Sequence, residues 1–155
     1  MEKYESTLIK NGFLLTMTGE GVGSIIDGAV AVEGQNIVAV GKTDELVKEY
    51  GSAEHVIDAK GKAVLPGFID GHIHTGLSLA RGLAQDVPEL EWMLKTMAPF
   101  TDHLTPEHSI VGSKVGVLEA LKSGTTTFGE IGANMGPVAD KVFIQIGRAS
   151  CRERV

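Results

Sequence analysis

A chain of 155 residues with a net charge of −6 at pH 7 and 43% hydrophobic residues can bury a core, but its acidic balance argues against a nucleic-acid partner. Its single cysteine excludes a disulfide framework and a cysteine-based metal site. No segment approaches the roughly 18 apolar residues of a membrane span, and Met1–Lys10 is polar and charged, so no membrane partner is expected and a soluble cytoplasmic protein is the default.

From Thr7 to Asp58 the chain reads as short strands separated by turn residues. TLIKNGFLLTM carries Asn11-Gly12 between apolar residues, a local hairpin signal. The run from Gly19 to Gly23 superficially suggests a phosphate loop, yet no helical pattern follows it and no lysine occupies the required place, so it reads as a turn. GAVAVEGQNIVAVG then alternates around Gly34-Gln35-Asn36 to predict two strands. A short helix is expected over Asp44–Tyr50 with Thr43 as its cap, and HVIDA supplies a further strand.

At Leu65 the character changes. LPGFIDGHIH ends an apolar run with two histidines one residue apart, and side-chain alternation in an extended strand aims His72 and His74 to the same face. Two imidazoles so placed can share one metal, although an ordinary metal site needs three or four ligands. Asp70 lies on the same face one pleat lower, in reach of neighbouring strands. Next, Glu89–Leu104 reads as a helix with Leu90, Met93, Leu94 and Met97 at i, i+3, i+4, i+7 spacing. Thr105 and Pro106 are a fitting cap and first-turn residue for a second helix running to about Lys122. TTTFGEI follows as a parallel strand with Glu130 near its end, where a carboxylate would face a pocket, and ADKVFIQ opens another helix. His55, His103 and His108 read as surface histidines, and Arg81 as a structural cation.

The run VLPGFIDGHIHTGLSLARGLAQDVPELEWML, with LEALKSGTTTFGEIG after it, resembles the amidohydrolase superfamily, and within it the aminohydrolases of heterocyclic amines. That resemblance covers Leu8 to about Val142. It implies an α/β fold in which residues 65–145 are the first β/α units of an incomplete (β/α)8 TIM barrel, preceded in residues 1–64 by part of a small β-sandwich. A whole barrel takes about 250 residues, so the chain is expected to be an N-terminal fragment. The last ten residues, IGRASCRERV, match the in-frame translation of a short-read sequencing adapter, and residues 146–155 are therefore set aside from fold reasoning and expected to pack on nothing. Arg148, Arg152, Arg154 and Glu153 lie in that tail, so the preceding residues carry 11 basic and 19 acidic side chains, a net charge of −8.

The resemblance implies hydrolytic deamination, or related C–N hydrolysis, of a nitrogen heterocycle with one divalent metal, Zn²⁺ or Fe²⁺, which lowers the pKa of water from 15.7 to about 7. His72 and His74 are its two ligands within the chain. Further ligands and the general acid/base belong to later strands, so no catalytic acid or base is expected here. It also implies that Trp92 walls a small heterocyclic substrate by stacking. Thr101 stands where the related nucleoside deaminases carry a ribose-binding glutamate, and a hydroxyl is the weaker acceptor for a sugar diol. A homo-oligomeric parent is compatible with this reading. Two other readings are a cyclic-amide hydrolase of the hydantoinase or dihydroorotase type, which shares the His-x-His pair, and a non-catalytic β-rich binding module. The second leaves SGTTTFGEIG after a long helix without a purpose.

Overall fold

Ser6–Leu15 forms β1, with Leu8, Gly12 and Leu14 buried on one side; it pairs antiparallel with β2 (Ser24–Glu33), and β2 pairs antiparallel with β3 (Asn36–Lys42). In this computed structural model, residues 5–132, 134–144 and 150–153 are described, and the mixed α/β chain divides into two compact units between Pro66 and Gly67. In the first unit, β4 (His55–Asp58) and β5 (Ala63–Val64) both run parallel to β1, giving the path β3-β2-β1-β4. Helix α1 (Thr43–Tyr50) lays Leu46 on Leu8, Ala29 and Ala31, which form the buried core of this unit.

Two local expectations are corrected here. Asn11-Gly12 is not a hairpin turn. β1 runs straight through it, Asn11 takes φ 60°, and the register with β2 shifts on either side of Gly12, which makes the pair a β-bulge. Long-range partners decide this: the Asn11 backbone N–H donates to Thr43 Oγ1 (2.9 Å) and its amide Nδ2 to Asp58 Oδ1 (2.9 Å). That second bond is the chief reason the Asp58 carboxyl titrates below its ordinary value. The β1–β2 hairpin instead turns through the glycine-rich segment, where Met17 N–H donates to the Val22 carbonyl (3.0 Å) and Gly19, Gly21 and Gly23 all have positive φ. Thr43, likewise, does not cap α1. It is the first helical residue, buried, and its hydroxyl donates to the Gly28 carbonyl (3.1 Å).

The second unit is built on β6 (Phe68–Ile73) and β7 (Thr125–Gly132), parallel neighbours, with β8 (Ser150–Glu153) parallel to β7 on its other side. The β6–β7 connection starts with a 3₁₀ turn, Thr75–Ala80. A helical run then passes from α2 (Glu89–Glu91) through a π-helical stretch (Trp92–Met97) into α3 (Ala98–Asp102), and α4 (Pro106–Lys122) returns to β7. After β7 come α5 (Met135–Val138) and a π-helical continuation, Ala139–Phe143. Val117 of α4, Phe128 of β7, and Met135, Val138, Val142 and Phe143 form the core, with the Phe128 and Phe143 rings edge to face at 5.4 Å.

Of the predicted stripe, only Met97 is buried; Leu90, Met93 and Leu94 are exposed. The i→i+5 bonding of the π-helical stretch changes the angular spacing, so residues at i, i+3, i+4, i+7 cease to share one face. α4 buries its small residues instead. Ser109, Gly112, Ser113 and Gly116 face the Thr75–Ala80 turn, whereas Val111, Val115, Leu118 and Leu121 are exposed. Arg81 has the structural role expected of it, forming two bonds to the Glu119 carboxylate of α4 (2.7 and 2.6 Å) that raise the guanidinium pKa and lower that of Glu119.

The expectation that Ile146–Val155 packs on nothing is overturned at Ser150–Glu153, whose backbone pairs with Gly129–Gly132. An open strand edge presents N–H and C=O groups that any extended segment can meet. Residues 146–149 and 154–155 lie outside the described residues.

Thr105 caps α4 as its type predicts: its hydroxyl accepts from His108 N–H (3.3 Å), and His108 Nδ1 accepts from Thr105 N–H (3.4 Å). Thr105→Ala is expected to lower stability by about 1 kcal/mol in urea unfolding, with the cavity described below unchanged in ligand-free spectra.

Candidate metal centre and adjoining cavity

The β6–β7 ladder carries one extra residue on β6 between Asp70 and Ile73, opposite Phe128 and Glu130. Such a bulge bends a strand and re-aims its side chains, and here it falls at Gly71-His72. Its carbonyl side is crowded: a Cβ on Gly129 would stand 2.9 Å from the Gly71 oxygen, so β7 needs a glycine there.

His72 and His74 converge. Their Nε2 atoms are 3.1 Å apart, and the rings meet edge to face with centroids at 4.8 Å. His74 Nδ1 is bonded to the Ile131 carbonyl of β7. A carbonyl only accepts, so Nδ1 carries the proton and, in the neutral ring, Nε2 is left with its lone pair facing His72. Two nitrogens at this spacing subtend roughly 100° at an ion bound about 2.0–2.1 Å from each, near a tetrahedral angle. The pair therefore fits two corners of a metal site. Among the described residues, no group of three or more His, Cys, Asp or Glu side chains is placed to hold a metal. The Asp70 carboxylate accepts from the His72 backbone N–H of its own strand (3.0 Å), and among the described residues no bond from it to a neighbouring strand is seen. His55, His103 and His108 are exposed and stand elsewhere, bonded to Glu5, the Pro99 carbonyl and Thr105.

Beside His74 lies a cavity of about 690 Å³. Trp92, Thr101 and Glu130 all line it, so three candidates spread over 38 residues of the chain come together with His74 around one cavity. Trp92 is only partly exposed, at 36%. The Thr101 hydroxyl donates to the Ala98 carbonyl of its own helix (2.9 Å), which leaves it free only to accept. Glu130 is 1% exposed, and its Oε2 accepts from the Thr75 backbone N–H (2.7 Å). Its Oε1 has no hydrogen-bond partner among the described residues.

Sequence reasoning missed the supports. Thr75 Oγ1 donates to Ser113 Oγ (2.9 Å), and Asn134 Nδ2 donates to Ser109 Oγ (3.1 Å), so two buried serines of α4 brace the ends of β6 and β7. The only signal for them was the spacing of small residues along α4, which periodicity of apolar residues passes over.

Comparison with known proteins defines the class. The amidohydrolase family matches residues 63–149, more than half of the chain, and the chain belongs to that family. A bacterial imidazolonepropionase-like composite domain matches residues 28–53. Over 87% of its length the chain is 42% identical to a 5-methylthioadenosine/S-adenosylhomocysteine deaminase of Thermococcus onnurineus, and over 80% it is 40% identical to a 5'-deoxyadenosine deaminase of Methanococcoides burtonii. It spans 30% and 27% of the lengths of these two relatives. Among solved structures, a zinc-bound adenosine deaminase from Xanthomonas campestris superposes with a TM-score of 0.82 at 26% identity, covering 92% of this chain and 32% of that one. A zinc complex of atrazine chlorohydrolase from Arthrobacter aurescens shares the fold at TM-score 0.78 and 20% identity, with 95% and 35% covered.

Proposed function

We propose that this chain supplies the first metal-binding strand and part of the substrate wall of an enzyme that deaminates a nitrogen heterocycle by hydrolysis. The observation that carries the reading is the convergence of His72 and His74 Nε2 at 3.1 Å, with the His74 tautomer fixed by the Ile131 carbonyl. His72 and His74 would hold one divalent ion, Zn²⁺ or Fe²⁺. When bound, such an ion acidifies water toward neutral pH and so makes hydrolysis accessible. The chain's own residues then have defined tasks. Ile131 and Thr75 hold the end of β6 in place, Trp92 presents an indole to a planar ring, and Thr101 and Glu130 offer acceptors on the cavity wall. The zinc in the related adenosine deaminase and the deaminase names of the relatives favour this activity.

On this reading residues 65–145 are the opening β/α units of a (β/α)8 barrel, and residues 1–64 are part of a small β-sandwich. The parallel β6–β7 pair joined through helical segments supports the barrel, and the five-stranded sheet of the first unit supports the sandwich. The test is ammonia release from 5'-deoxyadenosine and other amino-heterocycles by the enzyme carrying this chain together with the remaining barrel strands. Turnover that depends on added Zn²⁺ or Fe²⁺ is expected. Hydrolysis of cyclic amides with no ammonia from any amino-heterocycle would contradict the reading.

A further inference from the structure

Glu130 stands out among the buried groups that the metal pair does not use. Its carboxylate is 1% exposed, yet only one of its oxygens is satisfied: Oε2 takes the Thr75 N–H at 2.7 Å, while Oε1 has no partner among the described residues. Buried polar atoms are almost always paired, and a carboxylate oxygen kept without a donor is costly to the folded chain unless something else meets it. Glu130 also lines the cavity beside His74.

The surroundings indicate what meets it. A Cβ on Gly132 would crowd Oε1 at 3.3 Å and the Met135 methyl at 3.1 Å, so the glycine keeps that side of the carboxylate clear of a side chain of its own, and the neighbour there is the flexible Met135 thioether, which must swing aside to admit a donor. Leu77, Trp92, Met93 and Met97 give the cavity apolar walls suited to a flat ring. The other carboxylate on the wall is Asp102, and among the described residues no lysine or arginine lines it. Donors are welcome there and anions are not. A nitrogen heterocycle of the kind proposed above fits such walls and presents N–H groups as its donors.

We propose that Glu130 is the ligand-anchoring carboxylate of this cavity, with Oε2 fixed by the Thr75 N–H and Oε1 accepting a hydrogen bond from an N–H donor of a neutral or cationic heterocycle. The inference deepens the heterocycle-hydrolase reading and rests on it. It needs no turnover to be tested.

The probes are adenine, which presents N–H donors, and 9-methylpurine, which has none, titrated calorimetrically into the full 155-residue chain in the presence of Zn²⁺. The wild-type chain is expected to bind adenine at least about tenfold more tightly, the scale of one hydrogen bond to a charged group. In Glu130→Gln the amide oxygen can still accept from Thr75 while an amino group replaces Oε1, so the preference should vanish with the fold intact. Gly132→Ala should weaken adenine binding by filling the space beside Oε1. Equal binding of the two probes by the wild-type chain, binding of neither, or a preference that survives Glu130→Gln would overturn the proposal. His72→Ala separates it from the metal reading: that variant should lose Zn²⁺ and keep the adenine preference. Zn²⁺ affinity unchanged by His72→Ala sinks the metal pair and leaves the anchor standing.

Discussion

His72→Ala, made in the enzyme that carries this chain with the remaining strands, is expected to lose both its divalent metal and its turnover. Removing a group that merely orients a metal ligand costs about 10–100-fold in metal affinity, so removing a ligand should cost more than about 100-fold. Among the described residues no other imidazole stands beside His74 to take its place, since the other three histidines are bonded elsewhere. Metal content by elemental analysis after dialysis, beside the rate of ammonia release, checks the result. Full activity with metal retained in His72→Ala would remove the residue from the site.

Gly112→Ala should have the largest effect on the fold. At an ordinary position inside a helix this change would stabilise by about 1 kcal/mol, because alanine is the better helix former. Here the added Cβ would overlap the Gly76 carbonyl and stand 3.2 Å from its Cα, and one turn later a Cβ on Gly116 would stand 2.8 Å from Ser78 Oγ and 3.0 Å from the Thr75 backbone. The obstacle to Gly112→Ala is the Gly76 backbone, so α4 can accept the methyl only by moving off the Thr75–Ala80 turn. Overpacking of this kind costs about 1–3 kcal/mol and should outweigh the propensity gain. The expected outcome is a lower urea midpoint with loss of the Thr75–Ser113 bond, and weaker Zn²⁺ binding because Thr75 follows His74 directly. Gly71→Ala, where nothing lies within 4 Å, is the control and should change stability by less than about 0.5 kcal/mol.

The parts of this molecule legible in the sequence are those set by local rules. Strand alternation alone put His72 and His74 on one face, and Thr105-Pro106 marked the start of α4. Asn11-Gly12 misled because a hairpin and a bulge ask for the same left-handed residue. What separates them is Thr43 and Asp58, 32 and 47 residues away. The Glu89–Leu104 stripe misled because a 3.6-residue period presumes an α-helix, and Trp92–Met97 is π-helical. The brace around the metal strand was invisible for a related reason. Thr75, Ser113 and Glu130 are each unremarkable in their own segments, and their meaning arises from bonds spanning 38 and 55 residues.

The claim on which the proposed hydrolysis depends is that His72 of β6 and His74 just past its end bind one ion together. Nitrogen-15 NMR of the full chain labelled at its five histidines, titrated with Zn²⁺, tests it directly. The Nε2 resonances of His72 and His74 are predicted to move together and saturate at one equivalent, with Nδ1 of His74 remaining protonated and His55, His103 and His108 unmoved. Zn²⁺ shifts confined to those three histidines, or independent titration of His72 and His74, would contradict the account.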